Sequence, residues 1–122
     1  MAVPFPPVMA WVSAPSDRTP DFDIDLPTEA ADTTDVAVGD VLVVQYSTNA
    51  GYNWTTYFTN TLDAGEIAGS ALSQTGVSPL ANGVYVFRAR LERSSVPSEW
   101  SNYVDVTLEA TAAVTRPLIR LR

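Results

Sequence analysis

Apolar and polar residues alternate with period two in several short runs of this chain, the spacing of half-buried β-strands. The clearest run lies in Leu80–Leu108, LANGVYVFRARLERSSVPSEWSNYVDVTL. Tyr85, Phe87, Ala89 and Leu91 alternate there with Val84, Val86, Arg88 and Arg90. Arginine heads require water, so the Tyr85/Phe87/Ala89/Leu91 face is predicted to point inward. Val104, Val106 and Leu108 alternate with Tyr103, Asp105 and Thr107 in a second strand, and Ser94, Ser95, Pro97 and Ser98 supply turn chemistry between the two.

The rest of the chain can be laid out around this hairpin. Val8 to Ala14 suits a first strand, with Trp11 in the core. Asp21 to Leu26 alternates without exception, Phe22, Ile24 and Leu26 facing one way and Asp21, Asp23 and Asp25 the other. Val41 to Ser47 is the most β-prone run, with Leu42, Val44 and Tyr46 placed inside. Tyr52 to Thr61 reads as its return strand, and a short edge strand is expected near Ala71 to Thr75 within the Gly/Ala/Ser-rich stretch Asp63–Pro79. Turn signals separate these runs at short, regular intervals, which predicts an all-β sandwich.

Leu80-x-Asn82-Gly83-x-Tyr85, the alternating strand, then Ser98-x-Trp100-Ser101 and Val104-x-Val106 resemble the last two strands of fibronectin type III and bacterial Ig-like domains. The resemblance implies a single Ig-like, fibronectin type III-like antiparallel β-sandwich of about seven strands over residues 8–109. Tyr85 would then be its corner tyrosine, ring buried and hydroxyl bonded to nearby backbone. The Leu-to-Tyr spacing is shorter than in fibronectin type III domains and lacks their proline; the Asn-Gly version resembles bacterial and phage Ig-like modules. Ser47-x-Asn49-x-Gly51-x-x-Trp54 resembles the Asp-box, a β-hairpin motif best known from sialidase propellers, with Asn49 in place of the usual Asp. Asn and Gly tolerate positive φ, Ser and Asn side chains can bond turn backbone, and Trp54 would pack over the hairpin. A propeller needs repeated copies and only one occurs here, so an Asp-box within a sandwich is the better fit. Structural roles are thus expected for Trp11, Asn49, Gly51, Trp54, Tyr85 and Trp100.

Composition narrows the chemistry. The 122 residues make one domain by length, and 46% are apolar without a run long enough to span a membrane. Cysteine and histidine are absent, which removes disulfides, thiol chemistry, the usual general base and the commonest metal ligand. Charge is split along the chain. Residues 1–66 hold ten acids against Arg18, a net −9, whereas residues 67–122 hold six arginines against four acids, a net +2. An acidic body argues against nucleic acid as a partner, while the short basic end could dock on an acidic protein surface. The opening MAVPFPPVMAW lacks a basic n-region and is interrupted by prolines, so no signal peptide is read.

Three stretches could carry function. Asp21, Asp23 and Asp25 would stand about 7 Å apart along one strand face. That spacing could serve a paired-carboxylate hydrolase or a calcium site, but an open strand face offers no cleft and no converging loop ligands. A solvated face that discourages aggregation is the preferred reading. Tyr52 and Trp54, with Tyr57 or Phe58, could form an exposed aromatic strip for a sugar face, pack an ordinary sheet, or meet a protein. Residues 110–122 read as a small-residue linker followed by a basic, apolar tail, with Arg116, Leu118, Ile119, Arg120 and Arg122 as assembly contacts; residues 1–7, with three prolines, read as an extended arm. The expectation is a non-enzymatic structural protein without cofactor or metal, held by its arms to neighbouring subunits of an assembly. On the resemblance, that assembly is a bacteriophage virion, the chain being a capsid decoration or tail-associated subunit put together in the host cytoplasm. A carbohydrate-binding or host-surface adhesion module using Tyr52, Trp54 and Tyr57 is the alternative.

Overall fold

The computed structural model describes residues 3–28 and 34–109, and these form two antiparallel sheets closed on one core. One sheet has the order β1-β2-β5, from β1 (Val8–Trp11), β2 (Phe22–Asp25) and β5 (Ala71–Gln74). The other runs β4-β3-β6, from β3 (Val41–Ser47), β4 (Thr55–Thr61) and β6 (Gly83–Arg93). The far side of β6 pairs first with β7 (Val96–Pro97) at its end and then with β8 (Val104–Leu108) at its start. Eight strands therefore occupy seven positions, the all-β sandwich expected from the sequence.

Alternation decides what is buried. Phe22, Ile24 and Leu26 from one sheet meet Leu42, Val44, Tyr85, Phe87, Ala89, Leu91, Val106 and Leu108 from the other. Phe87 lies at the centre, its ring 4.8 Å from Phe22 and 5.8 Å from both Tyr46 and Tyr57. Tyr85 is buried, and its hydroxyl donates to the Ala81 carbonyl at 2.6 Å. Burial raises the Tyr85 phenol above its usual pKa and nearby Tyr46 adds to this, while Arg18 pulls the other way. A phenol that ionises later in the folded chain contributes stability below pH about 10 and loses it as the pH climbs toward the folded value.

Several boundaries differ from the expectation, each for a physical reason. The first strand stops at Trp11, not Ala14, and Trp11 is only half-buried, its indole N–H donating to Ser13 Oγ at 3.0 Å. The return strand starts at Thr55, because Tyr52 belongs to the preceding turn. A short helix, α1 (Ala64–Ala68), follows β4, an element not expected from the sequence; Asp63 and Glu66 form a reciprocal capping box at its start. The described part of the N-terminal arm is not free: Pro4 and Pro7 are buried, and Phe5 N–H donates to the Thr34 carbonyl.

A buried ion pair ties the β2–β3 connection to the end of β6. Asp40 is 2% exposed and takes two hydrogen bonds from Arg93, Nε to Oδ1 at 2.9 Å and Nη2 to Oδ2 at 2.7 Å. It also accepts from Ala37 N–H, and Arg93 Nη2 donates to the Asp35 carbonyl, so both charges have several partners. The hydrogen bond to Asp40 pushes the Arg93 guanidinium further up, against the opposing effect of burial.

Among the described glycines, Gly76 makes the closest approach to another stretch of backbone. A Cβ there would lie 2.5 Å from the Thr19 carbonyl carbon and 2.7 Å from the Pro20 oxygen. Gly76→Ala should therefore lower stability by about 1–3 kcal/mol, the usual cost of forcing atoms into a packed site. Urea unfolding checks this against Gly69→Ala, whose Cβ would meet nothing nearer than 3.6 Å. Equal midpoints for the two variants would contradict the packing described.

Candidate interaction face

The outer face of the larger sheet carries most of the chain's unusual side chains. Its geometry begins in the segment between β7 and β8. Ser98 N–H donates to the Leu91 carbonyl at 2.7 Å, and Leu91 N–H donates to Ser98 Oγ at 3.0 Å. Ser101 repeats the arrangement on Ala89, at 2.7 and 2.9 Å. Each serine thus holds a strand-like pair, its hydroxyl replacing its own carbonyl as acceptor. Glu99 and Trp100 are left over between the two anchors, a wide bulge that turns Trp100 across the sheet.

Trp100 covers the two arginines that face out from β6. The Arg88 guanidinium lies 3.6 Å from the Trp100 ring centre and 3.9 Å from that of Trp54, so it is held between two indoles. Arg90 lies 4.3 Å from Trp100 and pairs with Glu92 at 2.8 Å. Gln45 on β3 accepts from Arg88 Nε and Nη2 at 3.1 and 2.8 Å. Tyr103 meets Trp54 edge-on at 5.3 Å. The result is a ladder, Tyr103–Trp54–Arg88–Trp100–Arg90–Glu92, built from β6, the bulge and the turn before β4.

That turn is ordered by its own polar atoms. Ser47 Oγ accepts from Asn49 and Gly51 N–H and donates to Asn49 Oδ1, which also takes the Asn53 N–H. Ala50 and Gly51 both have positive φ, and a Cβ on Gly51 would come 3.4 Å from the Trp54 ring. Trp54 is thereby seated against Gly51 on one side of its turn and Arg88 on the sheet.

The aromatic trio of the sequence reading does not come together. Tyr52 stands out at the turn, 86% exposed, and Trp54 lies in the ladder. Tyr57 faces the opposite way, its ring against Tyr46 and Phe87 and its hydroxyl donating to the Ser78 carbonyl. A register shift at Val44/Gln45 is responsible, since it inserts Tyr57 between the partners of those residues. The aromatic neighbour of Trp54 is instead Tyr103, 58% exposed.

The smaller sheet presents a different face. Asp23 and Asp25 are exposed side by side along β2, flanked across the register by Ala10 and Ser73 and by Val8 and Ala71. Ser73 Oγ donates to Asp23 at 3.4 Å, whereas Asp21 precedes the strand and accepts from Gly76 N–H. Among the described residues, no three His, Cys, Asp or Glu side chains gather to hold a metal ion. The tail residues Arg116, Leu118, Ile119, Arg120 and Arg122 lie outside the described residues.

The ladder yields a direct test. Trp100→Ala removes the shared cover of two arginines and should cost about 1–2 kcal/mol. Arg88→Lys keeps the charge but loses the planar fork between the indoles, and should also melt early. Thermal unfolding at matched ionic strength reads both; a Lys variant as stable as the parent would show that stacking contributes nothing.

No protein-family model matches this chain, and no curated protein does. Solved structures do share its architecture. The titin kinase with its flanking domains matches with a TM-score of 0.56 and 16% identity over 89% of this chain, which spans 18% of that one. The fibronectin type III domain of human fibronectin type III domain containing protein 3 matches at 0.53 and 14%, covering 88% of both chains. Titin domains A168–A170 match at 0.52 and 16%, over 88% of this chain and 33% of that one. At such identities the likeness is one of fold, and the fold is an Ig-like, fibronectin type III-like sandwich.

Proposed function

We propose that this chain is a non-enzymatic structural and interaction subunit of a larger assembly, held to neighbouring subunits by its C-terminal tail. The observation that carries the reading is a core that the described residues already fill from both sheets. Among the described residues the core cluster runs from Met9 to Leu108, and the sequence continues with Arg116, Arg120 and Arg122 around Leu118 and Ile119. A basic, apolar segment of this kind suits docking on an acidic sheet edge. The described part of the N-terminal arm packs on its own domain, so anchoring falls to the C-terminal one.

A bacteriophage virion is the assembly we favour, with the chain as a capsid decoration or tail-associated subunit. Its support is the resemblance of the Asn82-Gly83-x-Tyr85 corner to phage and bacterial Ig-like modules. Deleting residues 113–122 tests the anchoring: the melting temperature should stay unchanged while incorporation into the assembly is lost. A truncated chain that melts much earlier, or still incorporates fully, would sink the reading.

A second reading, a glycan-binding or host-adhesion surface, draws on exposed Tyr52 and Tyr103 beside Trp54. Glycan-array hits that vanish in Tyr52→Ala, a change at an 86% exposed position, would support it; a blank array removes it.

A further inference from the structure

We infer that the tail of one copy, residues 116–122, adds as a strand to the β5 edge of a second copy, its arginines seated on the Asp23/Asp25 row. This rests on the anchoring role proposed above and names the partner.

The edges of the sandwich narrow the choice of acceptor. The β1 edge is closed by Asn102, whose side-chain amide accepts from Met9 N–H at 3.0 Å and donates to the Met9 carbonyl at 2.9 Å, as a strand residue would. On the same side Glu109 N–H donates to the Pro15 carbonyl, which joins the end of β8 to the segment after β1. β4 and β5 are the edges on the opposite side of the sandwich. The outward residues of β4 are Thr56, Thr59 and Thr61, which carry no charge. β5 pairs only with β2, and its outward Ala71 and Ser73 are small, with Asp25 and Asp23 directly behind them.

An added strand would lie two inter-strand spacings, about 9.6 Å, from β2. Ala71 and Ser73 leave the path open for long side chains, and Asp23 already leans toward β5 through Ser73. In an extended tail Arg120 and Arg122 fall on one face, spaced like Asp23 and Asp25, while Ile119 and Leu121 fall on the other, toward half-buried Leu72. Charge, spacing and apolar face therefore match at one edge.

A second copy is the acceptor chosen, since the last described contact before the tail, Glu109 N–H to the Pro15 carbonyl, lies on the β1 side, whereas β5 is the opposite edge of that sheet. Tail on one molecule and edge on the next make a head-to-tail contact, which closes as a ring or continues as a filament.

Sedimentation of the full chain over a concentration series tests this. The parent should self-associate, weakening about tenfold or more as salt screens the ion pairs. Arg120→Asp with Arg122→Asp should abolish association, and so should Asp23→Arg with Asp25→Arg. An equimolar mixture of the two variants should associate again, because each tail then meets the opposite charge; that recovery also shows both are folded. A parent that stays monomeric, association that survives both reversals, or a mixture that fails to recover would overturn the contact. A monomeric parent would still leave anchoring to a different virion protein to be judged by the deletion of residues 113–122.

Discussion

A slip of β6 by one residue against β3 would drive Arg88 and Arg90 into the core and push Phe87 into water. The rest of the structure depends on that not happening. Because side chains alternate strictly along a strand, register and burial are one decision, and the cost of burying two guanidinium groups enforces it. With the register set, Phe87 stands opposite Phe22 and gathers Tyr46, Tyr57 and Tyr85 around it. The same setting places the arginines on the outer face, where Trp54, Trp100 and Gln45 await them. Core and ladder are thus two sides of one strand.

The bulge between β7 and β8 shows how a local irregularity is held without loss of hydrogen bonds. Two residues, Glu99 and Trp100, opposite the single Arg90 would ordinarily leave ladder groups of β6 unpaired inside a sheet, a costly arrangement. Ser98 and Ser101 prevent this by offering hydroxyls where carbonyls have turned away. The bulge then becomes useful, since it brings an indole over charges that the alternation has already exposed. A Trp on a regular strand at this position would have stood beside the arginines instead of across them.

What the sequence showed, and what it hid, follows from the range of each interaction. Tyr85 to Leu91 and Phe22 to Leu26 were legible because burial there follows unbroken alternation within one segment. Tyr57 was not, because the register shift at Val44/Gln45 changes the phase of β4 without any mark in its own residues. α1 was hidden for another reason: five residues are too few to display a helical period, and its signature lies in the spacing of Asp63 and Glu66 alone. The Asp40–Arg93 pair joins residues 53 apart, and nothing local in either stretch announces the other. Within the ladder, the outward arginines could be read from alternation, but the seat of Arg88 between two indoles required the bulge.

The two faces of the sandwich also differ in how much of their charge is already used. On the larger sheet Arg88 and Arg90 are stacked and hydrogen-bonded, Glu92 is paired with Arg90, and Arg93 is committed to Asp40. These charges are turned inward on the molecule and offer little to a partner. On the smaller sheet Asp25 has no basic neighbour among the described residues, and Asp23 has only a long contact from Ser73. Solvated acids beside a strand edge discourage pairing with neutral or acidic strands and leave a basic one as the suitable partner. Three further arginines, Arg116, Arg120 and Arg122, follow the described residues in the sequence, so the acids of the smaller sheet and the bases of the tail are complementary charges far apart along one chain.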